Sequence, residues 1–275
     1  MGYLTGIEWC DHTWNPWRGC AHAARHRDGT GEAPECLNCY AEDGSRRNAA
    51  NLGEWGPGSA RAVGVPAYWD LPRKWDRKAE ADGVRRRVFF ASYADVFEDR
   101  ADLVPHRRRA FDIIDECPNL DFLVLTKRPE MVGTLWPWGR ETRRENVWLG
   151  TTCGHPDSLW RVDALLSVRH LAALAFVSAE PLLAPLDFGG RLGGIRWVIA
   201  GGESRLRGEP RPCDPEWIRG VAMQCELAGT ALFVKQLGGN PVGLSLSHPK
   251  GGDMEEWPED LRIRELPAVA AAGVA

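Results

Sequence analysis

Three cysteines carry the spacing with the most chemical content in this chain. Cys36-Leu37-Asn38-Cys39 separates two thiols so that both sulfurs can face one metal, and Cys20 precedes them across a polar loop. Zinc wants four ligands in a closed structural site, and Cys10, His12, His22 and His26 are candidates for the fourth. A [4Fe–4S] cluster on three cysteines instead leaves one iron open to a substrate or cofactor. A Cys36–Cys39 disulfide is the redox alternative, although a thioredoxin-like site wants a strand before and a helix after it. Buried thiols with no ligand are the plainest alternative.

The second chemical signal is a series of polar clusters, each following a short apolar run. The runs are Val88–Ala91, Phe122–Leu125, Val147–Leu149, Phe176–Val177, Trp197–Ala200 and Ala231–Val234. The clusters are Ser92-Tyr93-Ala94-Asp95, Thr126-Lys127-Arg128, Thr151-Thr152-Cys153, Ser178-Ala179-Glu180, Gly201-Gly202-Glu203-Ser204 and Lys235-Gln236. The runs are rich in Val, Phe and Ile and do not alternate strictly, which suits strands buried on both faces of a parallel sheet.

Helices must connect such strands. Ala101–Glu116 stops before Pro118, and Ser158–Ser167 has apolar residues at helical spacing. Pro215–Leu227 opens with Asp214 as N-cap and Pro215 at the first position, and Gly229 follows it. Strands alternating with helices predict a parallel β/α barrel of TIM type, full or partial, over residues 1–266. The cysteine-bearing loop occupies 13–42, a lid is expected at 45–85, and 267–275 is read as a flexible tail. In a barrel the polar clusters meet at the carboxyl ends of the strands, where such folds build their sites. Lys127, Glu180 and Lys235 are the catalytic candidates there.

Composition narrows the class. A chain of 275 residues matches one β/α barrel in size, and 44% hydrophobic with 26% charged residues is ordinary globular usage. The formal charge of −4 offers no global field for nucleic acid. Arg85-Arg86-Arg87 and Arg107-Arg108-Arg109 are local runs that could touch phosphates. No apolar run reaches about 18 residues, so no membrane partner is expected. The opening residues lack a secretory pattern, and the chain is expected in the cytoplasm, where its eight cysteines would be thiols or metal ligands.

Taken in order, Thr13–Pro16, Gly19-Cys20, Cys36-x-x-Cys39-Tyr40-Ala41-Glu42, Val124–Pro129, Val147–Gly150, Ser178–Leu183, Trp197–Ser204 and Phe233–Gln236 form a series. It resembles an uncharacterised family of phage and bacterial proteins sometimes called three-Cys-motif proteins, regarded as radical S-adenosylmethionine (SAM)-like. The resemblance covers about residues 5 to 266. It implies that Cys20, Cys36 and Cys39 hold a [4Fe–4S] cluster whose open iron binds SAM, and that an electron donor is a partner. It also implies cleavage of the SAM C–S bond to a 5′-deoxyadenosyl radical, and its phage association points to a nucleic-acid or nucleotide substrate. On this reading Gly201 and Gly202 let the backbone approach SAM closely, and Glu203 accepts from its amino group. Lys127 or Arg128 pairs with the SAM carboxylate or a substrate phosphate. The chain departs from the radical SAM pattern in three ways. The Cys20–Cys36 gap is long and inserts His22 and His26, Asn38 stands where an aromatic is usual, and Gly201-Gly202-Glu203 comes late.

Two other functions fit the residues. One is a zinc-stabilised, non-redox binding protein of phage or bacterial nucleic-acid metabolism. The other is a hydrolase using Glu180, Glu203 or Asp95 as acid and base.

Overall fold

The structure, a computed structural model, describes residues 5–139, 141–204 and 208–268. Nine strands are present among them: β1 (His12–Trp14), β2 (Trp17–Arg18), β3 (Ala62–Val63), β4 (Arg86–Phe90), β5 (Leu120–Thr126), β6 (Arg144–Thr152), β7 (Ala172–Ala179), β8 (Trp197–Gly201) and β9 (Ala231–Gln236). Eight α-helices accompany them: α1 (Tyr40–Ser45), α2 (Ala49–Leu52), α3 (Pro66–Trp69), α4 (Leu71–Asp82), α5 (Val104–Asp115), α6 (Val132–Leu135), α7 (Leu159–Val168) and α8 (Pro215–Ala228).

Seven strands form one parallel sheet in the order β1-β4-β5-β6-β7-β8-β9, and β2 pairs with β3 in a small antiparallel ribbon. The sheet curls into a half-barrel and does not close, because β1 and β9 remain its two edges. The parallel β/α expectation therefore holds in its partial form. The edge of β9 is covered by the chain that follows. Val234 N–H donates to Ile263 O and Glu265 N–H to Leu232 O, each at 2.8 Å. Such a cover removes the exposed edge that would otherwise invite pairing with another chain.

Alternation along the strands splits the core in two. Val88, Phe90, Phe122, Val124, Val147, Leu149, Val177 and Val198 point to the layer shared with the helices. Phe89, Leu123, Trp148, Leu174, Phe176, Ile199 and Phe233 fill the other face around Trp197. The Trp197 ring lies 5.9–6.2 Å from those of Trp9, Trp148, Phe176 and Phe233, mostly edge to face. Aromatic contacts of this kind add about 0.5–1.5 kcal/mol each beyond area burial. Both faces are thus apolar, which is why the strands read as continuous runs.

The expected helices are present: α5, α7 and α8 fall on the three predicted segments. Asp214 accepts from Glu216 N–H at 2.9 Å, and Gly229 ends α8 in the left-handed conformation at φ 65°. Two expectations are corrected. Residues 71–82 of the supposed lid are helix α4, with Trp75 and Ala79 buried on the helix-side core. Its Pro72 at the start and Gly83 at the end punctuate an ordinary crossover helix. The cysteine segment also begins with a strand, since Thr13 and Trp14 belong to β1. Of the tail, Pro267 is buried, and 269–275 lies outside the described residues.

Candidate functional site

The carboxyl ends of the sheet strands surround a cavity of about 490 Å³. That is ample for a cofactor or a small-molecule substrate. Cys20, Cys36, Cys39, Lys127, Arg128, Glu180, Gly202, Glu203 and Lys235 line it, and of the predicted site residues only Gly201 stands back from the wall. The fold thus brings strand ends far apart in sequence, and the cysteine segment, to one place.

Cys36 closes a 3-10 turn, Pro34–Cys36, and Cys39 N–H donates to its carbonyl at 3.2 Å before α1 begins. Two ion pairs pin this segment. Glu35 beneath it is fully buried against Arg161, 3.3 Å away, and also accepts from Gly154 N–H at 2.9 Å. Arg161 Nη2 donates in turn to Ala24 O at 2.7 Å. Burial alone would raise the Glu35 pKa, but Arg161, Ser158 and the Gly154 amide outweigh it and hold the carboxyl low. On the other side Arg211 grips Glu203 through Nε, Nη2 and its backbone N–H, and its Nη1 donates to Pro34 O at 2.9 Å. Asn38, between the two cysteines, donates to Glu203 Oε2 at 3.2 Å. Glu203, also held low by Arg211 against the effect of burial, therefore anchors the cysteine turn.

Cys20 is held separately. Its sulfur donates to Ala21 O at 3.1 Å and accepts from Arg128 Nη1 at 3.7 Å. Arg128 also pairs with buried Asp95 at 3.0 Å and donates to Ala21 O and to His22 O. Ala21 N–H donates to Glu98 at 3.0 Å, and Glu98 pairs with buried Arg61 at 2.6 Å. Burial pushes the Cys20 thiol up to about 12 despite Arg128.

Lys127 faces Cys36 and Cys39. Burial would lower its pKa, but those two sulfurs and Glu35 outweigh it and hold the ammonium charged. Among the described residues it has no carboxylate within ion-pair range. Lys235 and Glu180 pair at 3.0 Å across the ends of β9 and β7.

These contacts revise several expected roles. Arg128 and Glu203 are committed to the protein and not turned free toward a cofactor. A Cβ on Gly202 would lie 2.3 Å from Leu237 O, and one on Gly201 3.0 Å from Gln236 O. The two glycines are needed for close packing against the end of β9. Most side chains of the arginine runs have partners within the fold as well. Arg85 pairs with Asp121 at 2.6 Å and Arg86 with Asp82 at 2.8 Å, Arg107 is buried on Val96 O and Glu98 O, and Arg109 lies over Trp69. Asp95, Glu180 and Glu203 are each paired with a cation, Arg128, Lys235 and Arg211 respectively.

Of the candidate fourth zinc ligands, His12 stacks on Trp75 with centroids 4.3 Å apart and Cys10 lies in the inner aromatic layer, while His22 lines the cavity and sits between Glu32 and Glu42. Among the described residues no three His, Cys, Asp or Glu side chains are gathered as a ready site for a single ion. Sequence reasoning missed Glu35, Asn38, Arg161 and Arg211. Asn38 sits inside the motif and Glu35 just before it, but nothing in the sequence ties Arg161 or Arg211 to it.

A family model described as protein of unknown function (DUF5131) matches residues 4–256. No curated protein and no solved structure matches the chain. Among the described residues no helix is long and apolar enough to cross a membrane.

Proposed function

The chain belongs to the DUF5131 family of proteins of unknown function, and from that premise we propose that it is an iron–sulfur enzyme of the radical SAM type. The observation that carries this reading is the shared wall of Cys20, Cys36 and Cys39 on one cavity at the carboxyl ends of the strands. The donor set supports a thiolate-held cluster: three cysteines share the wall, with Arg128 against Cys20 and Lys127 facing Cys36 and Cys39. Among the described residues no three His, Cys, Asp or Glu side chains are gathered for a metal ion, so a cluster and a zinc ion, whose ligand atoms stand about 2.0–2.3 Å from one centre, both need these side chains to move. Cys20, Cys36 and Cys39 would hold the [4Fe–4S] group, and Cys20 would have to leave its contact with Arg128 to do so.

When bound and reduced by an electron donor, such a group supplies the electron that cleaves the C–S bond of SAM. The chain's own residues do the rest. Lys127 offsets the negative charge of the Cys36 and Cys39 thiolates. Arg161–Glu35 and Arg211–Glu203 fix the turn that carries them. The Glu180–Lys235 pair presents an acceptor and a donor to whatever occupies the cavity, and Lys250 on its wall adds a second cation suited to a nucleotide phosphate.

The test is anaerobic purification and reconstitution with iron and sulfide. The expected result is a brown protein with about four irons per chain that forms 5′-deoxyadenosine from SAM and a chemical reductant. Cys36→Ala should abolish both. A protein that takes up no iron and sulfide under these conditions, or holds a cluster but never cleaves SAM, defeats the proposal.

A further inference from the structure

A second cavity, of about 440 Å³, lies at the opposite end of the sheet, where β7 begins. Strand pairing explains why it exists. Arg144 of β6 pairs with Ala172, but the next paired residues are Trp148 and Leu174, so the ladder is broken between them. On the other side β8 starts only at Trp197, opposite Phe176. The first residues of β7 are therefore poorly flanked, and the methyl side chains of Ala172, Ala173 and Ala175 leave a floor with room above it.

The walls are basic. Arg143, Arg169, His170 and Arg196 line the cleft, and among the described residues no aspartate or glutamate does. Arg143 is paired with Glu145, and His170 Nε2 lies 3.9 Å from the exposed Glu141. Arg169 and Arg196 differ from these. Arg169 gives Nη1 to Leu166 O at 2.8 Å, and Arg196 gives its backbone N–H to Ala175 O at 2.9 Å. Neither has a carboxylate within ion-pair range among the described residues. The Arg169 stem runs past Gly194, where an added Cβ would sit 3.5 Å from its Cδ. Two guanidinium groups without a carboxylate partner among the described residues, over a small-residue floor in a chain of net charge −4, form a local anion trap.

We propose that this cleft binds a phosphate group, with Arg169 and Arg196 as its principal contacts and His170 at its rim. Planar guanidinium forks match phosphate oxygens in pairs, which a point charge does not. The phosphate comes either from a nucleic-acid backbone or from a small polyphosphate. This inference is independent of the cluster proposed at the other end of the sheet.

Fluorescence anisotropy of a labelled oligothymidylate at low ionic strength, with equilibrium dialysis of radiolabelled pyrophosphate beside it, tests the idea. The double variant Arg169→Ala, Arg196→Ala should lose at least about tenfold in affinity for whichever probe binds, while Arg219→Ala on α8 should not. Oligothymidylate binding that weakens with salt and vanishes in the double variant identifies a nucleic-acid backbone. Pyrophosphate binding alone, lost in the same variant, identifies a small ligand. If the double variant fails to fold, the single Arg196→Gln, an exposed change, gives the same readout. No saturable binding of either probe, or binding undiminished in a folded variant, overturns the proposal.

Discussion

Arg128 bridges two residues from different strand ends: its guanidinium lies 3.0 Å from Asp95 Oδ2 and 3.7 Å from the sulfur of Cys20. Asp95 is held low because Arg128, Thr126 and two backbone amides outweigh the effect of its burial. The arginine thus serves the fold and the cysteine at once. Arg128→Ala leaves Asp95 buried without its partner, a change that costs about 3 kcal/mol when a buried pair is broken. Urea unfolding should show that loss. Cys20 loses the cation that opposes the effect of burial, so its thiol should ionise less readily and react more slowly with iodoacetamide in the metal-free protein.

Arg161 and Glu35 form the most deeply buried pair under the cysteine turn. Arg161→Met should destabilise the fold by about 3–5 kcal/mol, because it strands a buried carboxylate. The double change Arg161→Met, Glu35→Leu should cost less than the single one, since it removes both charges. A double-mutant cycle by urea unfolding reads the coupling. Equal costs for the single and double variants would mean that the pair is not what holds the turn.

Lys127 is the counter-charge to Cys36, whose thiol burial pushes up and Lys127 pulls back. Lys127→Met leaves burial less opposed, so the thiol should ionise at still higher pH and alkylate more slowly at pH 8. Mass spectrometry of the Cys36 peptide after timed alkylation checks this. The same variant should take up less iron and sulfide on reconstitution, because three thiolates would then gather with one cation fewer.

The pH profile of stability should bend at both ends. Glu35, Asp95 and Glu203 have lowered pKa values in the fold, so the unfolded chain binds more protons than the native one at acid pH. Their stabilisation is complete above the ordinary carboxylate range, about 4, and is lost as pH falls through the folded values. The buried thiols Cys117, Cys153, Cys213 and Cys225 are pushed up to about 12 by burial. Their contribution is complete below the ordinary thiol value of about 8.5 and is lost as pH rises above it. Urea midpoints should therefore be flat between about pH 5 and 8 and fall on either side.

Much of the architecture could be read from the chain alone, because its signals are local. Val88, Phe122, Val147, Phe176, Trp197 and Ala231 each mark a strand of the parallel sheet, and Asp214, Pro215 and Gly229 mark both ends of α8. Burial on both strand faces writes itself as apolar runs, and capping writes itself as specific residues at fixed offsets. The short strand β1 and the helix α4 were not legible. Three residues carry no period, and α4 has Arg, Lys and Asp over most of its surface, with only Trp75 and Ala79 among its interior residues buried beside Pro72 and Asp76.

The site divides in the same way. Spacing marked Cys36 and Cys39, the family resemblance joined Cys20 to them, and barrel anatomy placed Lys127, Glu180 and Lys235 at strand ends, where all six line one cavity. Which charges are free and which are spent was decided only by the tertiary structure. Arg128, Glu203, Arg85 and Arg86 look equally available in the sequence, yet Asp95, Arg211, Asp121 and Asp82 claim them. A thiol pair at short spacing is a property of the chain. An ion pair between residues such as Glu35 and Arg161 depends on distances that exist only once strands, helices and loops have packed.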